Sequence, residues 1–294
     1  MAEAHLEARR GWVVHGANRW VDYFKFNTDH KVIGTQYIAV GFVFFLIAGM
    51  MAEMIRTQLM RPDNTLFTGN TFNELFSLHG TIMIFLWIIP VLIGVGNYIV
   101  PLQIGANDMA FPKLNALSLW LTVISGIVMI ASIVVGGAAS GWSAYPPLSE
   151  QTGFGQTLWA IALLVTGFAS IFGALNFMVT IFTMRAPGMG LFQMPLFVWS
   201  IVATALMILA GTPVLAGALA LLLWDRLGGA IFFSANSDPL MWQNLFWFYS
   251  HPAVYIMILP GFGIISEVLA VNARKPIFGY RAIAFSSAGI AVLG

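Results

Sequence analysis

The sequence predicts an all-α protein, a polytopic bundle of transmembrane helices. Three observations predict it. Of 294 residues, 59% are hydrophobic and only 9% charged, against the roughly 25% charged residues of soluble domains. Mean hydropathy is +0.84, and no soluble core of this size hides that much apolar surface. Six apolar segments, at 33–56, 74–102, 115–138, 156–184, 192–224 and 241–270, each exceed the ~18–20 residues a bilayer helix requires.

Taken in order, residues 1–32 form a polar, mixed-charge segment expected on the cytoplasmic side. Met1 to Lys31 contains no apolar h-region, so it is not a secretory signal. Trp12 to Phe26 reads as an amphipathic surface stretch. The six spans follow, and a seventh begins near Ala282 and runs to Gly294. The chain stops within that apolar run, so the remainder of the bundle is expected beyond this sequence or on another polypeptide. The transmembrane domain is thus 33–294, incomplete at its C-terminal side. Helices are expected because unpaired backbone groups in lipid cost several kcal/mol each. The alternation of a β-barrel strand is absent.

Orientation follows from Lys and Arg. With the N-terminus inside, the inner segments hold Arg9, Arg10, Arg19, Lys25, Lys31, Lys113, Arg185, Arg274, Lys275 and Arg281. The outer segments hold Arg56, Arg61 and Arg226. This excess places the N-terminus on the cytoplasmic or matrix face. A net charge of +1 without a basic patch gives no reason to expect nucleic acid. Cysteine is absent, so any metal must use His, carboxylates or a ligand from elsewhere.

Two of the five His residues, His79 and His251, sit inside spans, whereas His5, His15 and His30 precede the first. An ionisable group inside a membrane is costly and usually functional; the plain alternative is an interhelical hydrogen bond. Counted from the outer ends of their segments, they lie roughly 9 and 15 Å deep, both in the outer half. Neutral imidazole suits iron and copper. His251 and Tyr255 are four residues apart and share a helical face; Tyr249 and Ala253 share another. Pro252 frees a carbonyl and kinks the helix between them, and Pro260 repeats this two turns on. A kinked helix with aromatic packing alone is common, but a His and a Tyr on one face beside the kink favour a redox or metal site.

The run NLFWFYSHPAVYIMILPGFG (244–263) resembles the sixth-helix signature of the haem–copper oxygen reductases, the family of cytochrome c oxidase subunit I. FSLHGTIMIFLW around His79 resembles that family's second helix, and the run from Gly96 to Trp120, GWSAYPPLS (141–149), NFMVTIFTMRAPGM and PVLAGALALLLWDR resemble other segments of it in order. The resemblance runs from His30 to the last residue and covers the N-terminal half of such a subunit. It implies six complete spans and a partial seventh of an expected twelve.

The resemblance implies that His79 is an axial ligand of a low-spin haem (a or b type). His251 is then a ligand of the copper, copper B, that faces a high-spin haem (a3 type). Tyr255 matches the tyrosine joined covalently to the copper-ligand histidine. Trp247 matches a tryptophan near the binuclear centre. Arg56 matches an arginine at the low-spin haem periphery, and Trp142 and Tyr145 lie near haem propionates. Asp108 marks the mouth of an inner proton pathway. Asn97 and Asn115 flank it, and Ser170 and Asn176 continue the line. Many relatives carry a Glu two residues after the copper-ligand His. Here that position is Ala253, and the pair Tyr249–Ser250 resembles a subtype in which hydroxyls relay the proton. The other copper ligands, the remaining haem ligands and a lysine-containing proton route are expected after residue 294.

The implied function is a terminal respiratory oxidase of a bacterial cell membrane or inner mitochondrial membrane. It takes electrons from cytochrome c, reduces O2 to water and translocates protons. The implied partners are subunit II with a two-copper centre, subunit III, cytochrome c and membrane lipid. A quinol-oxidising version differs mainly in a partner subunit. From another class, secondary transporters also bury His and Asp and break helices with Pro and Gly, but the inverted repeats that would support one are not found.

Overall fold

The computed structural model describes residues 20–229, 232–233 and 239–294. His5, His15, Arg9, Arg10, Arg19 and the first part of the Trp12–Phe26 stretch lie outside them. A short 3-10 helix, Trp20–Phe24, ends in a bend before the bundle. Besides single turns at Leu148–Gln151 and Leu191–Gln193, seven longer helices follow among the described residues. They are α1 (His30–Gln58), α2 (Gly69–Ile104), α3 (Pro112–Val134), α4 (Phe154–Thr183), α5 (Leu196–Gly228), α6 (Leu240–Ala273) and the shorter α7 (Tyr280–Leu293). Among the described residues, α1 to α6 are long and apolar enough to cross a membrane. Successive spans run in alternate directions, so the loops at 59–68 and 135–153, the end of α5 and the start of α6 share one end of the bundle, here the Arg226 end. The loops at 105–111, 184–195 and 274–279 share the other, the Asp108 end.

Local chemistry sets the boundaries. α1 starts where the Asp29 carboxylate accepts the N–H groups of Lys31 (2.8 Å) and Val32 (3.3 Å). α2 starts at Gly69, five residues before its apolar run, because the Thr68 hydroxyl caps Thr71 N–H (3.2 Å). It ends at Gly105, in the left-handed conformation at φ 73, which glycine adopts without steric cost. α3 stops at Val134 rather than 138, since Gly136 and Gly137 take positive φ. α5 begins after Pro195, not at 192, and its first N–H, on Leu196, is capped from another helix by the Glu267 carboxylate (2.6 Å).

Within α2 the turn widens to a π-helix over Met83–Ile88. The next turn contains Pro90, whose ring crowds the carbonyl four residues back and donates nothing to it. Widening of this kind absorbs such a clash and often marks functional positions. Counted from Gly69 and Leu240, His79 and His251 lie about 15 and 16 Å from the Arg226 end. The later start of the apolar run made His79 look shallower.

The helices pack chiefly as α5 on α6, α3 on α4, α4 on α5 and α1 on α2. Small residues permit close approach, as is usual between membrane helices. A Cβ on Gly34 would sit 2.7 Å from the Gly94 carbonyl oxygen, and one on Gly263 would meet Ser200 Oγ at 2.3 Å. Because backbone cannot yield as a side chain does, Gly34→Ala should destabilise the bundle by about 1–3 kcal/mol. Thermal unfolding in detergent, with Gly49→Ala as the control because a Cβ there meets no atom within 4 Å, measures this.

Candidate redox and proton-transfer site

The His79 ring is half-buried, and its Nδ1 lies 2.9 Å from the Ala48 carbonyl oxygen of α1. Only N–H can bond to a carbonyl, so Nδ1 carries a proton, and in the neutral ring Nε2 keeps its lone pair. This is how ligating imidazoles are usually oriented. His251 is exposed on α6, and its ring meets the Tyr255 ring at 4.7 Å and 65°. The two residues therefore do share a face, as their spacing predicts. With Ser286, Gly289, Ile290, Leu293 and Gly294 of the α7 end they line a cavity of about 350 Å³. Tyr249, Ser250 and Ala253 occupy the opposite, buried side of α6. The Tyr249 ring stacks on Phe85 of the π-turn at 6.2 Å and packs against Gly211.

The 135–153 loop reaches into this region. Trp142 meets Phe246 at 5.4 Å and Trp247 edge-on at 5.9 Å. The Trp247 indole N–H donates to the Tyr145 hydroxyl (2.7 Å), and the Trp242 N–H donates to the Ser143 carbonyl (2.9 Å). The far end of the loop is held by Arg226. Its guanidinium donates to the carbonyls of Ser149, Glu150, Thr152 and Gly153, and its Nε to the Thr157 hydroxyl. Burial raises the Glu150 carboxyl above the ordinary range; Asp225 adds to the rise and Arg226 opposes it. Arg56 is exposed at the C-terminal end of α1.

At the Asp108 end, Asp108 is buried and its Oδ1 accepts the Met109 N–H (2.7 Å). Asn176 bridges the start of α3, accepting from Phe111 N–H (2.9 Å) and donating to its carbonyl (3.1 Å). Buried Asn97 donates to Ile93 O, while Asn97 Oδ1, the Asn115 amide and Ser250 Oγ have no protein partner among the described residues.

The structure adds residues that the sequence reading did not single out. The Tyr37 hydroxyl bonds to Ser118 (2.8 Å), and Ser125 bonds to Thr166 (2.5 Å). Tyr37, Phe85, Thr122, Thr166 and Ser170 border a cavity of about 20 Å³, enough for one water. The spacing of Ser118, Thr122 and Ser125 on one face of α3 was the available signal. His30, the first residue of α1, is buried with Nδ1 2.8 Å from the Asn97 carbonyl.

The fold defines the class first: an integral membrane protein of bundled helices. The chain matches the family described as cytochrome c and quinol oxidase polypeptide I over residues 32–294, and it belongs to that family. It is 54% identical over 283 residues to cytochrome c oxidase subunit 1 of Synechocystis sp., covering 95% of this chain and 51% of the relative. To cytochrome c oxidase subunit 1 of Thermostichus vulcanus it is 53% identical over 280 residues, 94% of this chain and 51% of the relative. A relative of the same name from Corynebacterium efficiens is 44% identical over 301 residues, 99% of this chain and 52% of the relative. The chain thus spans about half the length of the curated relatives it matches.

Proposed function

We propose that this chain forms the ligand-bearing first half of the catalytic subunit of a terminal oxidase that reduces O2 to water. The reading is carried by one observation: two intramembrane imidazoles at nearly equal depth from the same end, one with a free Nε2 and one in ring contact with a tyrosine. The family membership and the relatives' names support cytochrome c as electron donor. The other subunits belong to the same reading, as does an N-terminus on the inner face.

The residues fit haem and copper in part. His79 Nε2 would donate to the iron of a low-spin haem, and Arg56, Trp142 and Tyr145 would help to hold that haem. His251 is disposed to be one copper donor. Among the described residues no three His, Asp or Glu side chains cluster, so a copper at His251 would draw its other donors from beyond them. Haem and copper, when bound, supply the electron transfer and the O2 chemistry. Tyr255 holds a phenolic proton beside the His251 ring. Trp247, bonded to Tyr145, lays aromatic surface along the Arg226 side of the site.

Protons consumed near His251 have to cross the Asp108 half of the bundle. Asp108 is the entrance, with Asn176 bracing the loop that carries it. Asn97 and Asn115 present buried polar atoms that water can bond, and the Tyr37–Ser118 and Ser125–Thr166 pairs lead to Ser170. The position two residues after His251 is Ala253, and Tyr249, four residues before it on the same buried face, and the adjacent Ser250 supply hydroxyls there instead of a carboxyl. A hydroxyl pair accepts and donates a proton through water without holding a charge in low dielectric, which costs several kcal/mol there.

Reduced-minus-oxidised spectra of the complete complex should show a low-spin haem and a CO-binding haem; a complex without haem contradicts the proposal and favours a transporter. For the relay, the double variant Tyr249→Phe, Ser250→Ala should lower O2 consumption by about 100-fold or more while leaving the haem bands in place. Turnover and proton pumping at wild-type rates would put the relay elsewhere.

A further inference from the structure

The His79 turn of α2 is gripped from behind as well as in front. Ser77 and Thr81 are four residues apart and share one face. His79 lies midway between them, about 200° around the helix from each, so it faces the opposite way. On its own side the imidazole is held by the Ala48 carbonyl of α1. Behind it, the indole N–H of Trp159 on α4 donates to the Thr81 hydroxyl (2.9 Å), which donates on to the Ser77 carbonyl (2.7 Å). The Gly141 N–H donates to the Ser77 hydroxyl (2.7 Å), which donates to the Asn73 carbonyl (2.6 Å). Trp159 and Thr81 are both fully buried.

The π-turn gives this grip its purpose. It begins at Met83, two residues past Thr81, and its extra residue per turn breaks the angular register with the rest of α2. Contacts made below it, such as that between Asn97 and His30, therefore fix the azimuth of His79 poorly. Bonds above it have to do so, and the only interhelical side-chain bond there from the rear face, among those described, is Trp159 to Thr81.

We propose that Trp159 is a positioning residue for His79, acting through the Thr81 hydroxyl to set the rotation of the imidazole and hence the quality of the axial bond at Nε2. The inference rests on the reading of His79 as a haem ligand.

The test uses the complete oxidase complex carrying Trp159→Phe, Thr81→Val, Thr81→Ser or the double variant Trp159→Phe, Thr81→Val. Haem content, the reduced low-spin band, low-spin EPR g values and the midpoint potential are read. Trp159→Phe and Thr81→Val should each shift the band, the g values and the potential in the same direction at wild-type haem content. Thr81→Ser should stay at wild type, and the double variant should match the single ones, because both remove one bond. Variants with lowered thermal stability but unmoved band, g values and potential overturn the proposal, as do fully additive shifts. Should Trp159→Phe fail to assemble, the comparison of Thr81→Val with Thr81→Ser decides the matter. A His79→Ala complex that keeps its low-spin haem defeats the underlying reading instead.

Discussion

Inside a bilayer no bulk water satisfies a hydroxyl, an amide or an indole, so each buried polar side chain needs a partner within the protein or a bound water. Much of this bundle is organised by that constraint. Tyr37 finds Ser118, Ser125 finds Thr166, Trp159 finds Thr81, Asn176 finds the backbone of Phe111, and His79 finds the Ala48 carbonyl. Such bonds stabilise membrane helices by only about 0.6 kcal/mol on average. Their main effect is geometric, because each couples the rotation of one helix to its neighbour. His79 is held this way on two faces, and its Nε2 is the atom left over.

Close packing makes those bonds reachable. Gly34 against Gly94 lets α1 approach α2, and Gly263 against Ser200 lets α6 approach α5. The same closeness buries Tyr249 and Ser250 and turns His251 and Tyr255 to the opposite, open side of α6. The proline-containing α6 thus divides its chemistry between two faces, with the hydroxyls of Tyr249 and Ser250 toward the bundle and the imidazole–phenol pair away from it. Arg226 and the Trp247–Tyr145 bond then fasten the long loop across the end of the site.

Much of the fold was legible because the signals are local. Apolar length gave the spans, and i, i+4 spacing placed His251 with Tyr255. Span ends were read less well: the start of α2 depends on a Thr68 cap outside the apolar run, and the end of α3 on two glycines with positive φ. The partners of Tyr37, Thr81, Arg226 and His30 were not legible, since each bond joins residues 67 or more apart in sequence and depends on helix rotation. The π-turn before Pro90 was equally hidden, although the proline was in view. Motif resemblance implies the roles proposed for Asp108 and Arg56, which spacing alone left open.

The central claim is that His79 and His251 are metal ligands with separate duties at a common depth. Haem spectra and copper content of His79→Ala and His251→Ala, each in the complete complex, test it most directly. The account predicts that His79→Ala loses the low-spin haem band and retains copper, and that His251→Ala loses copper and retains the low-spin band. Both variants keeping both metals at wild-type levels would contradict it.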